Sequence, residues 1–249
     1  MSQSDFTDFG FEKVTPGEKT RRVNSVFESV APSYDLMNDL MSFGIHRLWK
    51  RYAVQLTRLE TGAQILDVAG GTGDMARLYS SRTGVEARIV ICDINREMLS
   101  VGRDRLIDAG LCKKFSYIQA DAENLPFAPN SFDLVSIAFG LRNVTDKSRA
   151  LVSMYDKLKF GKSIVILEFS RVAIPVLQKL YDNYSSQVIP MMGKYVAGDE
   201  ASYRYLVESI RMHPDQQTLK SMMEAAGFSR VEFYNLSGGI VAVHRGYKL

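Results

Sequence analysis

Residues Ile65-Leu66-Asp67-Val68-Ala69-Gly70-Gly71-Thr72-Gly73-Asp74 decide the fold. A short apolar run enters a glycine cluster, which reads as a strand, a tight turn and a helix start. The three glycines lack Cβ atoms, so the backbone there turns sharply and lets a ligand touch it. Asp93 closes the next apolar run, Arg88-Ile-Val-Ile-Cys-Asp93, twenty residues past Gly73. Nucleotide-binding α/β folds put the acid that holds a ribose at that distance. Asp121 follows a third run, Phe115-Ser-Tyr-Ile-Gln-Ala120. It suits an adenine amino group, with the Ala122 backbone N–H for the ring. Each acid also suits a helix cap. Caps alone do not call for three acids at three successive strand ends.

The run Gly71-Thr-Gly-Asp-Met-Ala76 also fits a loose dinucleotide fingerprint. Asp74 bears on the choice of ligand. It falls in the first turn of the next helix, where a dinucleotide places its pyrophosphate. A carboxylate there repels phosphate and tolerates a cation. S-adenosylmethionine carries a sulfonium, an ammonium and no phosphate, so charge favours it over NAD. A plain capping role for Asp74 stands beside this reading.

The chain has 249 residues, a formal net charge of +3 and 46% apolar content. This is enough for a sizeable core in one domain, spanning 1–249 without a linker or repeat. The charge is too small to argue for nucleic acid. The basic clusters Lys19-Thr-Arg-Arg22 and Arg47-Leu-Trp-Lys-Arg51 read as solvated helix faces, or as attraction to an anionic membrane. Cys92 and Cys112 lack metal-ligand spacing, and no metal site is expected. Cys92 reads as a small core residue. With no signal-like or membrane-spanning run, the expected location is cytoplasmic, soluble or peripheral at the inner membrane.

Residues 18–60 read as helical, with breaks near Pro32 and Gly44, within an N-terminal helical cap over 1–60. Strands are expected at 64–69, 88–93, 115–120, 132–138 and 163–169. Helices are expected at 73–82, 95–109 and 146–159. The last opens at Thr145 or Asp146, buries Leu151, Met154 and Leu158, and stops before Gly161. Such alternation implies a parallel sheet with ligands at the carboxyl ends of its strands. Residues 173–226 form a helical insertion on the substrate side. Two β runs joined through Gly238-Gly239 then make a hairpin. An antiparallel pair here is unlike a dehydrogenase, which needs a second mononucleotide half.

Three further segments carry a family resemblance: Val26 to Lys50 (VFESVAPSYDLMNDLMSFGIHRLWK), Phe139-Gly-Leu-Arg-Asn-Val-Thr-Asp146, and Tyr203 to Asp215 (YRYLVESIRMHPD). With the glycine loop, they resemble the UbiE/COQ5 C-methyltransferases of ubiquinone and menaquinone synthesis, over nearly the whole chain. The resemblance implies a Rossmann-like α/β fold of class I methyltransferases, with a seven-stranded, mostly parallel sheet and an antiparallel last strand. It implies S-adenosyl-L-methionine as cofactor and methyl transfer to a ring carbon of demethylmenaquinol and of 2-polyprenyl-6-methoxy-1,4-benzoquinol. Its cofactor positions carry over to Thr72, Asp93, Asp121 and Ala122. Asp67, Gly70, Gly71, Gly73 and Ala138 complete the candidate cofactor set. The family often has serine where this chain has Ala138, which leaves only a backbone contact there.

For catalysis, Arg142 and Asn143 are the first candidates. A ring phenolate needs stabilising, and arginine keeps its proton, so Arg142 is not a free base. It suits a phenolate and a proton-accepting water, and Asn143 suits the second quinol oxygen. A structural alternative pairs Arg142 with Asp146. Tyr34, beside Asp35, stands in a segment that could close as a lid or simply pack in the core. His46 and His213 are assigned no role as a base, and His213 before Pro214 fits a helix end. Ile174, Leu177, Leu180, Tyr181, Tyr184, Val188 and Met191 recur at helical steps. They suit a core face or a channel for an isoprenoid tail. Partners are then a polyprenyl quinol, a transient membrane contact and other quinone-biosynthesis enzymes, with a homodimer left open. An NAD-linked oxidoreductase and a non-catalytic scaffold subunit remain the rival readings.

Overall fold

The computed structural model describes residues 6–31, 38–39, 41–82, 87–111 and 115–249. A hairpin of β1 (Thr7–Phe9) and β2 (Glu12–Val14) precedes α1 (Pro16–Val30) and α2 (His46–Gln55). The sequence reading missed this hairpin, whose strands are only three residues long. Thr15 caps α1 by accepting from the Glu18 N–H, and Pro16 occupies the first turn, where its missing N–H costs nothing.

The main body then alternates: β3 (Gln64–Val68), α3 (Asp74–Ser81), β4 (Arg88–Asp93), α4 (Arg96–Asp108), β5 (Phe115–Gln119), β6 (Phe132–Ala138), α5 (Lys147–Lys157) and β7 (Leu158–Phe169). The helical insertion comprises α6 (Pro175–Asn183), α7 (Ile189–Met192), α8 (Glu200–Met212) and α9 (Gln216–Ala225), and β8 (Ser229–Leu236) and β9 (Val241–Tyr247) finish the chain. The five expected strands and three expected helices form within a few residues of their predicted bounds. One boundary moves: Asp146 caps α5, which ends at Lys157, and Leu158 opens the strand instead of closing the helix. Leu158 is fully buried in either role, so burial alone did not separate them.

The seven-stranded sheet has the order β5-β4-β3-β6-β7-β9-β8. β3 pairs in parallel with both β4 and β6, which sets the switch point where the chain leaves β3 to opposite sides. β9 runs antiparallel to β7 and β8, as the Gly238-Gly239 hairpin predicted. Strand alternation divides the core. Ile65, Ile89, Ile91 and Leu134 face Trp49, Tyr79 and Leu106 on one side. Leu66, Val68, Val135 and Ile137 face Leu151, Met154 and Met223 on the other. Cys92 lies in this second core at 1% exposure, and burial pushes its thiol up to about 12. Cys112 lies outside the described residues.

A third, smaller core joins Val30 of α1 to Ile189, Tyr203 and Val207 of the insertion. The apolar stripe read along 174–191 does not stay on one buried face. Tyr181 and Tyr184 line a cavity, whereas Ile174 and Met191 are about half exposed. π-helical turns at Tyr184–Val188 and Gly193–Ala197 each add a residue per turn and rotate the face away from a regular helical period. Among the described residues, no helix is long and apolar enough to cross a membrane.

Candidate functional site

Two strand ends at the switch point hold unusual backbone. Ala69 after β3 has φ 50° and Phe139 after β6 has φ 56°, in the left-handed region that side chains other than glycine rarely adopt. Such strain persists where surrounding structure enforces it, and it gathers at binding sites. Both residues line a cleft of about 1060 Å³, open to solvent. Asp67, Gly70, Gly71, Thr72, Asp93, Asp121, Ala122 and Ala138 line it too, so the structure brings eight of the nine candidate cofactor residues together. Gly73 stands behind the wall instead. It caps α3 at φ 79°, and a Cβ there would lie 2.9 Å from Leu106. Its glycine therefore serves the turn and the packing.

The carboxylates are held by specific donors. The Gly71 and Asn95 N–H groups donate to Asp93 at 2.9 Å each, which fixes the acid beneath the glycine loop. Burial pushes its carboxyl up to about 6, against the hydrogen bonds from Asn95, Gly71 and Ile94. Asp67 receives the Ser136 hydroxyl at 2.7 Å on Oδ1, across the β3–β6 register. Its Oδ2 is buried without a hydrogen-bond partner, and burial pushes the carboxyl up to about 7. Asp121 accepts from the Glu123 N–H at 2.9 Å, so it caps a short turn and lines the cleft together.

Asp74 is also in the cleft, but not as a lone charge. Lys50 of α2 donates to it at 2.6 Å, and Arg105 stands 3.7 Å away. Burial raises the Asp74 carboxyl, and the Lys50 charge and hydrogen bond outweigh that and hold it low. The basic run 47–51 is thus not a solvated face throughout. Lys50 and Trp49 are buried, while Arg47 and Arg51 are exposed. Lys19 is similarly buried, donating to the Val144 carbonyl at 3.1 Å.

A second cavity, about 1380 Å³ with the space open to solvent included, adjoins the first and is mainly apolar. Its walls include Met41 ahead of α2, Trp49 of α2, Phe169 of β7, and Tyr181, Tyr184, Ile189 and Tyr203 of the insertion. Phe27, Lys50, Phe139 and Asn143 line both cavities and so stand where they meet. Asn143 accepts the Tyr205 hydroxyl at 3.1 Å, and its Nδ2 is buried without a hydrogen-bond partner. A buried amide N–H group left unpaired is costly, which makes this one a waiting donor. Tyr205 itself stacks on Phe9 of the hairpin at 4.2 Å, so the missed β1 braces the site.

Arg142 lines the second cavity and pairs with Glu168, while Asp146 accepts from the Arg149 N–H as the cap of α5. Its Nη1 donates to Glu168 Oε1 at 2.8 Å and to the Phe139 carbonyl at 2.5 Å, and its backbone N–H reaches Glu168 Oε2 at 3.2 Å. Glu168, at the end of β7, was missed in the sequence. It lies 1% exposed, and its one signal was an acid at the close of a buried strand. Tyr34 and Asp35 lie outside the described residues. His213 ends α8 as expected, and burial pushes it down to about 4. His46 lines the second cavity and its Nε2 lies 2.8 Å from Asp39 Oδ1.

Comparisons with known proteins give the family and the fold. A model of the ubiE/COQ5 methyltransferase family matches residues 15–248. A ubiquinone/menaquinone biosynthesis C-methyltransferase of Idiomarina loihiensis is 56% identical over 241 residues, 97% of this chain and 96% of the relative. Its counterpart in Methylococcus capsulatus is 58% identical over 242 residues, 97% and 98% of the two chains. Among solved structures, a SAM-dependent methyltransferase from Thermotoga maritima superposes with a TM-score of 0.66 at 20% identity, covering 90% of this chain and 99% of that one. That likeness speaks to the fold, a Rossmann-like α/β methyltransferase sheet.

Proposed function

The chain belongs to the ubiE/COQ5 methyltransferase family, and from that premise we propose that it C-methylates a polyprenylated quinol ring in ubiquinone or menaquinone biosynthesis, with S-adenosyl-L-methionine as donor. The acceptors are demethylmenaquinol and 2-polyprenyl-6-methoxy-1,4-benzoquinol. The single observation that carries the reading is the pair of cavities. One is acid-lined and follows the glycine loop, the other is aromatic and apolar, and both meet at Asn143 and Phe139.

The first cavity fits the cofactor. Asp67, Asp93, Asp121 and Glu123 suit a cationic ligand and disfavour a pyrophosphate. The unpartnered Asp67 Oδ2 asks for a donor, such as an ammonium group. Asp93 would accept from ribose hydroxyls, and Asp121 and Ala122 would hold the adenine. Gly70, Gly71, Thr72 and the Ala138 backbone would close around the remainder. When bound, S-adenosylmethionine supplies a methyl group already activated by its sulfonium.

This chain's residues must align a ring carbon and manage protons. Asn143 Nδ2 would donate to a quinol oxygen. Arg142 would set a positive field beside the developing phenolate, moderated by its pairing with Glu168. Tyr34 joins them as a proposed site residue. The 1–60 cap and the 173–226 insertion would close over bound substrate in the 1–249 domain and exclude water from the transfer. The polyprenyl tail runs through the aromatic cavity past Tyr181 and Tyr184, and its owner resides in a bilayer because each buried CH₂ gains about 0.8 kcal/mol there. The enzyme therefore works at a membrane surface from the cytoplasmic side.

Labelled-methyl incorporation into demethylmenaquinol and into the benzoquinol, run in parallel, tests the reading and separates the two pathways. Transfer to neither ring, or binding of NADH in place of S-adenosylmethionine, would sink it.

A further inference from the structure

Building on the quinol methyltransferase reading, we propose that His46, with its ring held by Asp39, takes the quinol hydroxyl proton as a general base. His46 lines the apolar cavity, and its side chain is only 9% exposed. Asp39 Oδ1 lies 2.8 Å from Nε2. Arg47 donates to the same carboxylate at 2.8 Å and 2.5 Å, which keeps it ionised and acceptor-only. Nε2 therefore carries the proton, and in the neutral ring Nδ1 is the acceptor. Nδ1 is buried and has no hydrogen-bond partner. A buried acceptor without a partner calls for a donor, and a quinol O–H in the adjoining cavity would be one.

The surroundings keep the ring neutral. Burial lowers the His46 pKa below 6.5, the Asp39 hydrogen bond opposes this, and the Lys50 charge adds to the lowering. Its place at the first turn of α2 works in the same direction, since a helix N-terminus disfavours a cation. The other charged groups on the cavity wall are not bases. Lys50 and Arg142 are cations held by Asp74 and Glu168. Tyr184 donates to the Met41 carbonyl and Tyr205 to Asn143. Asp67 and Asp93 line the other cavity.

The protons balance. The quinol O–H bond breaks, an Nδ1–H bond forms, and the electron pair stays on oxygen as a phenolate. Methylation at the ring carbon turns that oxygen into a carbonyl. The displaced ring proton leaves to water, restoring the aromatic phenolate, and His46 returns its proton to the oxygen. One proton is released per turnover.

The test compares wild type, His46→Gln and Asp39→Asn, using a short-tailed quinol and saturating donor across acid to neutral pH. General-base loss predicts a kcat roughly 10²-fold lower in His46→Gln. Donor affinity should hold, and KM for quinol should change far less than kcat. Wild-type kcat should fall as acid protonates His46 below 6.5, and that limb should vanish in His46→Gln. Asp39→Asn should lower kcat with the fold intact. A second reading needs no turnover: in ¹⁵N-histidine-labelled wild type, quinol added without donor should shift the His46 Nδ1 resonance. An unmoved Nδ1 resonance overturns the assignment however the variants fold. So does a His46→Gln enzyme with wild-type kcat and an intact acid limb. Wild type that methylates no quinol overturns the functional reading as well, which keeps the two failures distinct.

Discussion

At the residue scale, Asp67 and Asp93 carry a pH signature. Their carboxyls sit at about 7 and about 6 in the fold, above the ordinary 3.8, chiefly through burial. A raised acid binds its proton more tightly when folded, so ionising it works against folding. The ligand-free protein should therefore lose some stability as pH climbs from the unfolded value through these two folded values. A cationic cofactor reverses the effect, because it needs the ionised forms. Thermal scans should show a larger upward shift from S-adenosylmethionine at mildly alkaline pH than at pH 5. An equal shift at both would separate these acids from the ligand. Asp93→Asn should weaken donor binding by at least roughly tenfold, the worth of one charge-assisted hydrogen bond, as read by titration calorimetry.

Arg142 and Glu168 make a second residue-scale case. Arg142→Met alone strands a carboxylate that is 1% exposed, which typically costs about 3–5 kcal/mol. Adding Glu168→Gln should return much of that stability, as measured by denaturant titration. Turnover should remain low in the double variant while donor affinity holds. If turnover recovers along with stability, Arg142 acts through the fold alone. Arg142 was legible in the sequence as a loop residue after a strand. Glu168 was not, because a lone acid inside an apolar run does not announce its partner.

At the element scale, α4 and the glycine loop are one unit. A Cβ on Gly102 of α4 would lie 2.5 Å from the Gly71 carbonyl oxygen, and backbone cannot step aside cheaply. Gly102→Ala should lower stability by about 1–3 kcal/mol and weaken donor binding with it. Gly17→Ala in α1 meets nothing within 4 Å and should be neutral or gain about 0.4–1 kcal/mol. Paired melting curves and donor titrations check both, and a silent Gly102→Ala would disprove the coupling. Sequence periodicity found β3 to β7 and α3 to α5 because each presents a clear apolar face. It missed β1 and β2, whose three residues are too few for any period. It gave the 174–191 stripe a regular helical period, which π-helical turns interrupt, and such turns depend on packing such as Gly193 against Tyr203.

At the scale of the whole molecule, the wall of the aromatic cavity and the first turn of α2 present apolar side chains to solvent. Phe43 on that wall is 80% exposed and Leu48 of α2 is 59% exposed, with Arg51 exposed on the same helix. This combination suits an anionic bilayer, with apolar groups inserting and cations screening headgroup charge. Replacing Phe43 and Leu48 by Asp should reduce sedimentation with anionic vesicles and slow turnover of a long-tailed quinol in them. Turnover of a short-tailed, soluble quinol should stay near wild type. Equal loss on both substrates would tie the pair to the active site instead.

The sequence by itself determined the sheet, the glycine turn, the three strand-end acids and the family. These rest on local periodicity, on Cβ-free backbone and on long matching segments, all of which are properties of neighbours along the chain. The tertiary structure alone decided which charges are spoken for: Lys50 with Asp74, Arg142 with Glu168, and Asp39 with both Arg47 and His46. It also decided that His46 lines the apolar cavity with an unpartnered nitrogen. The physical reason is that an ion pair or an orphaned acceptor depends on distance and burial. Side chains 24 or 26 residues apart meet only after the fold has brought them together.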